Sequence, residues 1–260
     1  MRRAGPSGPP AFLLLAALAS CLASTAARAQ WSVDAAVERF GWREHISPIE
    51  VRELGPRVAL GIGFLQRRAR GPLFAYRGSL YGGGVDYDGS LQFDRTQAAR
   101  GVSVYLGTTQ AAELRHRWPA VVDAVAGLDL NVWRRRLSDT QREGYRVLSL
   151  RLGLDRPAAG SSRIVAGGGL RWLLATSEHA TVSEAGVVYH LALSPGLGSN
   201  PYLHLGGRIT PRITALLYWD GMSLGGSNEI VLHTGGRTQT VVFQPPTDVD
   251  VLGVRVAYGF

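Results

Sequence analysis

At 260 residues with 45% apolar side chains, the chain can build one ordered domain, and its mean hydropathy of +0.02 excludes a bundle of membrane helices. Its 33 glycines lie among alternating apolar residues, a composition that favours strands over helices. The net charge of +8 is carried by Arg without any Lys; the arginines gather on no amphipathic helix and follow an export segment, which argues against a nucleic-acid-binding protein despite a pI near 10.2.

The chain opens with that segment. Arg2 and Arg3 are its charged start, Ala11 to Ala19 its short apolar stretch, and Ala27-Arg28-Ala29 its cleavage site, so residues 1–29 are expected to be a signal peptide and 30–260 one barrel domain. Leu18-Ala19-Ser20-Cys21 also matches a lipoprotein box, which would lipidate Cys21; Trp31, opening the first strand at once, favours cleavage after Ala29. The mature chain then has no cysteine, hence no disulfide or thiolate chemistry.

From Trp31 onward the dominant signal is period-two alternation. Val58, Leu60, Ile62 and Phe64 alternate with Arg57, Ala59, Gly61 and Gly63. The same pattern sets Leu128 and Leu130 against Asp123 and Asp129, and Leu148, Leu150, Leu152 and Leu154 against Ser149, Arg151 and Asp155. It returns in Val254, Val256 and Tyr258 against Gly253 and Arg255. Strands are expected over 31–43, 53–67, 73–87, 99–117, 121–135, 145–156, 162–175, 198–208, 212–224 and 248–260. Residues 187–195 are either a further strand or part of a loop. The links alternate strictly between short (68–72, 118–120, 157–160, 209–211) and long (45–52, 88–98, 136–144, 176–197, 225–247). That alternation predicts an all-β antiparallel transmembrane barrel of about ten strands, with eight or twelve as alternatives, and both termini at the short-turn end. Trp31 and Trp118 fall at one set of strand ends and Trp42, Trp133, Trp172 and Trp219 at the other, which predicts two aromatic girdles at the lipid boundary.

This architecture, over about residues 31–260, resembles the small outer-membrane barrels of bacteria. Val254, Val256, Tyr258 and Phe260 look like the last strand of that superfamily. The resemblance implies a place in the outer membrane, and recognition of the lipid-facing Val256, Tyr258 and Phe260 by the barrel-assembly machinery. It carries over no catalytic residue.

In a barrel of this kind the apolar faces meet lipid and the opposite faces line the lumen. The expected lumen set is Asp34, Glu38, Arg57, Asp123, Asp129, Arg151, Arg171 and Arg255, paired into a charge network with lumen glycines leaving room for long Arg side chains. Trp133-Arg134-Arg135-Arg136 at an outer strand end suggests contact with lipopolysaccharide phosphates. Barrel proteases of the omptin type use acidic pairs with a histidine at the mouth, and Asp86, Asp88, His179 and Asp220 are the candidates for such a site; no Asp-x-His is present, and Asp88-Gly89 is also an ordinary turn. The remaining histidines have no ligand spacing, so neither metal nor cofactor is expected. The sequence therefore points to a structural or narrow passive-pore barrel rather than an enzyme. The rival readings are a surface hydrolase, omptin-like or lipid-modifying, and a soluble periplasmic ligand-binding barrel.

Overall fold

The computed structural model describes residues 29–66, 71–90, 97–117, 122–157, 163–184, 187–234 and 238–260. All but the last residue of the expected signal peptide, Cys21, Trp118 and most of the short turns lie outside these residues. The strands are β1 (Ala29–Glu44), β2 (Val51–Gln66), β3 (Leu73–Ser90), β4 (Ala98–Arg117), β5 (Asp123–Arg136), β6 (Gln141–Arg156) and β7 (Ile164–Glu184). They are followed by β8 (Val187–Leu193), β9 (Ser199–Arg208), β10 (Ile213–Leu224), β11 (Ile230–Thr234), β12 (Thr238–Val242) and β13 (Thr247–Gly259).

Ten strands form a closed antiparallel barrel in the order β1 to β7, β9, β10, β13, and back to β1. Closure joins Val33 to Tyr258 and Val37 to Val254, with the Phe260 N–H donating to the Trp31 carbonyl at 2.9 Å. Each barrel strand overlaps one of the ten strands expected from the alternation. Closure gives each of the ten wall strands a partner on both sides among the described residues, the condition for exposing a sheet to lipid.

The alternation becomes a division between outside and inside. Val58, Leu60, Leu106 and Leu148 point outward, Leu60 and Leu106 being 67% exposed, while the alternate positions are buried inside. That is a soluble protein turned inside out: an apolar outer belt around a polar and aromatic interior. The interior aromatic set includes Phe40, Trp42, Tyr81, Tyr105, Trp133 and Tyr145.

Two irregularities position side chains. Pro56 lacks the N–H that a ladder needs, and the β2–β3 pairing lapses between Leu54↔Asp86 and Val58↔Gly82 without changing register. The glycine run 82–84 lies opposite; a Cβ on Gly83 would strike the Pro56 carbonyl. The second irregularity is a bulge where β6 meets β7: Leu148 pairs with Ala175 but Ser149 with Leu173. The extra residue, Leu174, reverses the parity of β7, so Arg171 and Leu173 face inward before it and Glu178, Ala180 and Val182 after it.

Two hairpins lie outside the ten. β8 folds back on the upper half of β7, and β11 pairs with β12. Residues 187–195 thus supply a strand of a loop hairpin, not a wall strand, and the long link 225–247 contains a hairpin the alternation did not flag. Leu191 and Val182 from the first hairpin pack with Leu232 and Val242 from the second. This small apolar cluster forms a cap over the end of the barrel that carries the long loops.

Candidate functional site at the barrel mouth

The middle of the lumen is crossed by ion pairs. Arg57 on β2 donates two hydrogen bonds to Glu38 on β1 and lies over the rings of Phe40 and Tyr81. Glu38 also accepts the Tyr218 hydroxyl of β10 at 2.5 Å. Arg77 binds Asp34 at 2.6 Å, and Arg255 lies 3.6 Å from the same carboxylate. On the opposite wall, Arg151 reaches Asp129 at 2.8 Å and Glu113 at 3.2 Å. Arg171 bridges Asp129 on β5 to Asp220 on β10, and Arg115 joins Glu113 to Asp155. Asp123 pairs with Arg117 near the short-turn end. The structure therefore places all eight residues of the expected lumen set inside, and adds Arg77, Glu113, Arg115, Asp155 and Asp220 to them. The lumen glycines accommodate more than arginines. A Cβ on Gly61 would come 2.6 Å from the Asp34 carboxylate, and one on Gly107 would meet the Tyr81 ring and Trp133.

Nearer the long loops the interior changes. Arg135 of β5 is buried and touches three carboxylates: Glu44 at 2.7 Å, Glu53 at 3.1 Å, and Glu143. Its guanidinium lies 4.3 Å over the Trp42 ring, whose N–H donates to Glu44 at 2.9 Å. Glu53 accepts the Tyr105 hydroxyl at 2.5 Å. The Tyr145 hydroxyl sits 2.8 Å from Glu143 and 3.1 Å from Gln244, and its ring stacks on Trp133 at 4.8 Å. A fourth carboxylate, Glu178, is brought in by the bulge in β7. It is 1% exposed, and its Oε2 has no hydrogen-bond partner among the described residues. A cavity of about 40 Å³ lies between these groups, lined by Glu44, Arg135, Glu143, Glu178 and Gln244 together with apolar side chains from the strands and the cap.

Several expected sites are divided by the pleat. Trp133 and Arg135 face the lumen while Arg134 and Arg136 face outward, so the four-residue lipopolysaccharide contact does not form as a unit. Trp42 and Trp133 are interior packing residues rather than girdle members; Trp31, Trp172 and Trp219 remain on the outside. The hydrolase set is separated likewise. Asp86, Asp88 and His179 point outward, Asp88 lying 3.5 Å from Arg100, whereas Asp220 is inside and held bidentate by Arg171. The barrel wall stands between them, so they cannot serve one substrate atom. The mouth residues Glu44, Glu53, Glu143 and Gln244 were assigned no role from sequence, because they lie at strand ends or in links.

No protein-family description matches the chain, and no curated protein matches it by sequence. Solved structures do. The outer membrane protease OmpT from Escherichia coli superposes with a TM-score of 0.53 at 8% identity, over 89% of this chain and 96% of that one. The translocator domain of the autotransporter NalP from Neisseria meningitidis gives 0.47 at 10% identity, over 95% and 94%. The toluene transporter TodX from Pseudomonas putida gives 0.37 at 9% identity, over 91% and 90%. The likeness is one of fold: a closed ten-stranded barrel of the outer-membrane type.

Proposed function

We propose that this chain is a barrel of the bacterial outer membrane whose lumen is sealed, so that it serves as a structural scaffold for its capped loop end rather than as a solute pore. The observation that carries this reading is the meeting of side chains from different walls inside the lumen: Arg171 between Asp129 and Asp220, Tyr218 with Glu38, and Arg135 with Glu44, Glu53 and Glu143. A barrel near eight strands is just filled by its side chains, and here charged pairs tie that filling together. The outward apolar belt supports the membrane setting over a soluble ligand-binding barrel, which would keep its apolar face inside. The outer-membrane protease among the fold relatives lends this chain no matching site, because Asp220 is held inside the wall while Asp86, Asp88 and His179 face outward. In planar bilayers the purified protein is expected to give no stable conductance steps at neutral pH. Regular porin-like openings would overturn the sealed-lumen reading.

A partner for the outer surface is supported by a second observation. Arg134 and Arg136 on β5 and Arg142 and Arg146 on β6 share the outward face near the loops, and none has a carboxylate partner among the described residues. Guanidinium forks above an apolar belt suit lipid phosphates, including those of lipopolysaccharide. Replacing all four by Gln should lower co-purifying lipopolysaccharide; an unchanged amount would remove this reading. The outward row Val256, Tyr258 and Phe260 is the surface we assign to the assembly machinery. Phe260→Asp should reduce the heat-modifiable, assembled fraction, and equal assembly would contradict that assignment.

A further inference from the structure

We infer that the chamber at the barrel mouth binds the protonated head of a small primary amine. Three observations converge there. The first is charge. Glu44, Glu53, Glu143 and Glu178 are all buried, and among the described residues one guanidinium, that of Arg135, reaches three of them; the mid-lumen, by contrast, supplies a guanidinium for each carboxylate. Burying an uncompensated carboxylate is costly, and the cost falls when a cation with hydrogen-bond donors enters. The second is an unmet bond. Arg135 does not extend to Glu178, whose Oε2 is shut off from solvent without a donor among the described residues. The third is space. The cavity of about 40 Å³ lies against three carboxylates, Glu178, Glu143 and Glu44, with Gln244 and the single guanidinium of Arg135, room for a compact polar head or a few waters.

The chemistry of the walls selects among cations. A metal ion would want oxygens on all sides, yet no three of the described His, Asp and Glu residues stand where they could share one. The lining is also mixed: Val51, Ala180, Leu193 and Val242 supply an apolar part of the wall beside the carboxylates. An alkylammonium group matches both halves. Its three N–H donors serve the free Glu178 oxygen and its neighbours, and its short chain rests on the apolar side. Ile46 and Pro245, which also line the cavity, belong to the links at the loop end. It is independent of the sealed-lumen reading, because a barrel that conducts ions could still bind an amine here.

The test uses the full chain refolded in detergent, in HEPES rather than the primary amine Tris. Titration calorimetry with n-butylamine hydrochloride should give saturable binding of one ligand per chain. The neutral analogue n-butanol should give none, and calcium chloride should neither bind saturably nor displace the amine. Glu178→Gln should weaken amine binding about tenfold or more, the loss of a charge-assisted hydrogen bond. Asp88→Asn, on the outer face, should leave it unchanged. Heat-modifiable migration checks assembly of each variant. If Glu178→Gln does not assemble, the wild-type preference for amine over alcohol and calcium decides alone. Absence of amine binding, equal binding of the alcohol, or saturable calcium binding would each overturn the proposal.

Discussion

The middle and the mouth of the lumen are built from the same residue types on the same strands, but their charges balance differently. In the middle, Arg57, Arg77, Arg115, Arg151, Arg171 and Arg255 face Asp34, Glu38, Glu113, Asp129, Asp155 and Asp220, one for one. At the mouth, among the described residues, Arg135 pairs with Glu44, Glu53 and Glu143, and Glu178 has no guanidinium beside it. A balanced network can be static, since every charge it buries has its counterpart within the wall. An unbalanced one is incomplete without a proton or a cation from outside. The contrast assigns the middle to structure and the mouth to binding, and this is why the proposed site is placed under the cap rather than along the lumen.

The largest expected effect comes from removing Arg135, the guanidinium that the described residues place among the mouth carboxylates. Arg135→Met should cost about 3–5 kcal/mol in urea unfolding from lipid vesicles, because it strands several buried carboxylates at once. A cost below about 1 kcal/mol would mean that the carboxylates there are already neutral. Overpacking the boundary between the two regions should cost less. A side chain at Gly107 must displace the Tyr81 ring or Trp133, and Gly107→Val is expected to cost about 1–3 kcal/mol in the same assay. The smallest effect belongs to the exposed rim. The Ser223 hydroxyl and the His45 ring hold the Asp248 carboxyl below its ordinary range. A depressed carboxyl stabilises the fold above its unfolded pKa, and that contribution is lost as pH falls through the folded one. Asp248→Asn should therefore remove a few tenths of a kcal/mol at neutral pH and nothing in strong acid, as solvent screens so open a pair. Equal losses at the rim and at the mouth would erase the distinction between open and buried charge.

The barrel was legible because period two is strict where one face meets lipid and the other does not. It carried Asp34, Glu38, Arg57 and Asp129 to the lumen without any knowledge of contacts. The same parity, extended along β1 and β5, would have turned Trp42 and Trp133 inward with Glu38 and Asp129; the girdle expectation weighed indole chemistry above register. The mouth was less legible for two physical reasons. Glu44, Glu53 and Glu143 lie at strand ends that the expected strands excluded or only just reached, although their parity matches the lumen residues of the same strands. Glu178 could not be placed by parity at all, because the bulge at Leu174 inverts it in the middle of β7. The β11–β12 hairpin does carry a sequence signal, β-branched runs on both sides of a glycine pair: Ile230-Val231 and Val241-Val242 around Gly235-Gly236.

Paired removal of opposite charges tests the contrast between the two regions most directly. Arg171→Met with Asp220→Leu takes one charge of each sign from the middle and leaves the remainder balanced. Arg135→Met with Glu143→Leu does the same at the mouth but leaves Glu44, Glu53 and Glu178 without a guanidinium from the described residues. Urea unfolding of both double variants in lipid vesicles, followed by tryptophan emission, should find the mid-lumen pair within about 1 kcal/mol of the parent and the mouth pair about 3 kcal/mol or more below it. Equal recovery of the two would contradict the account, since the mouth would then hold no more uncompensated charge than the middle.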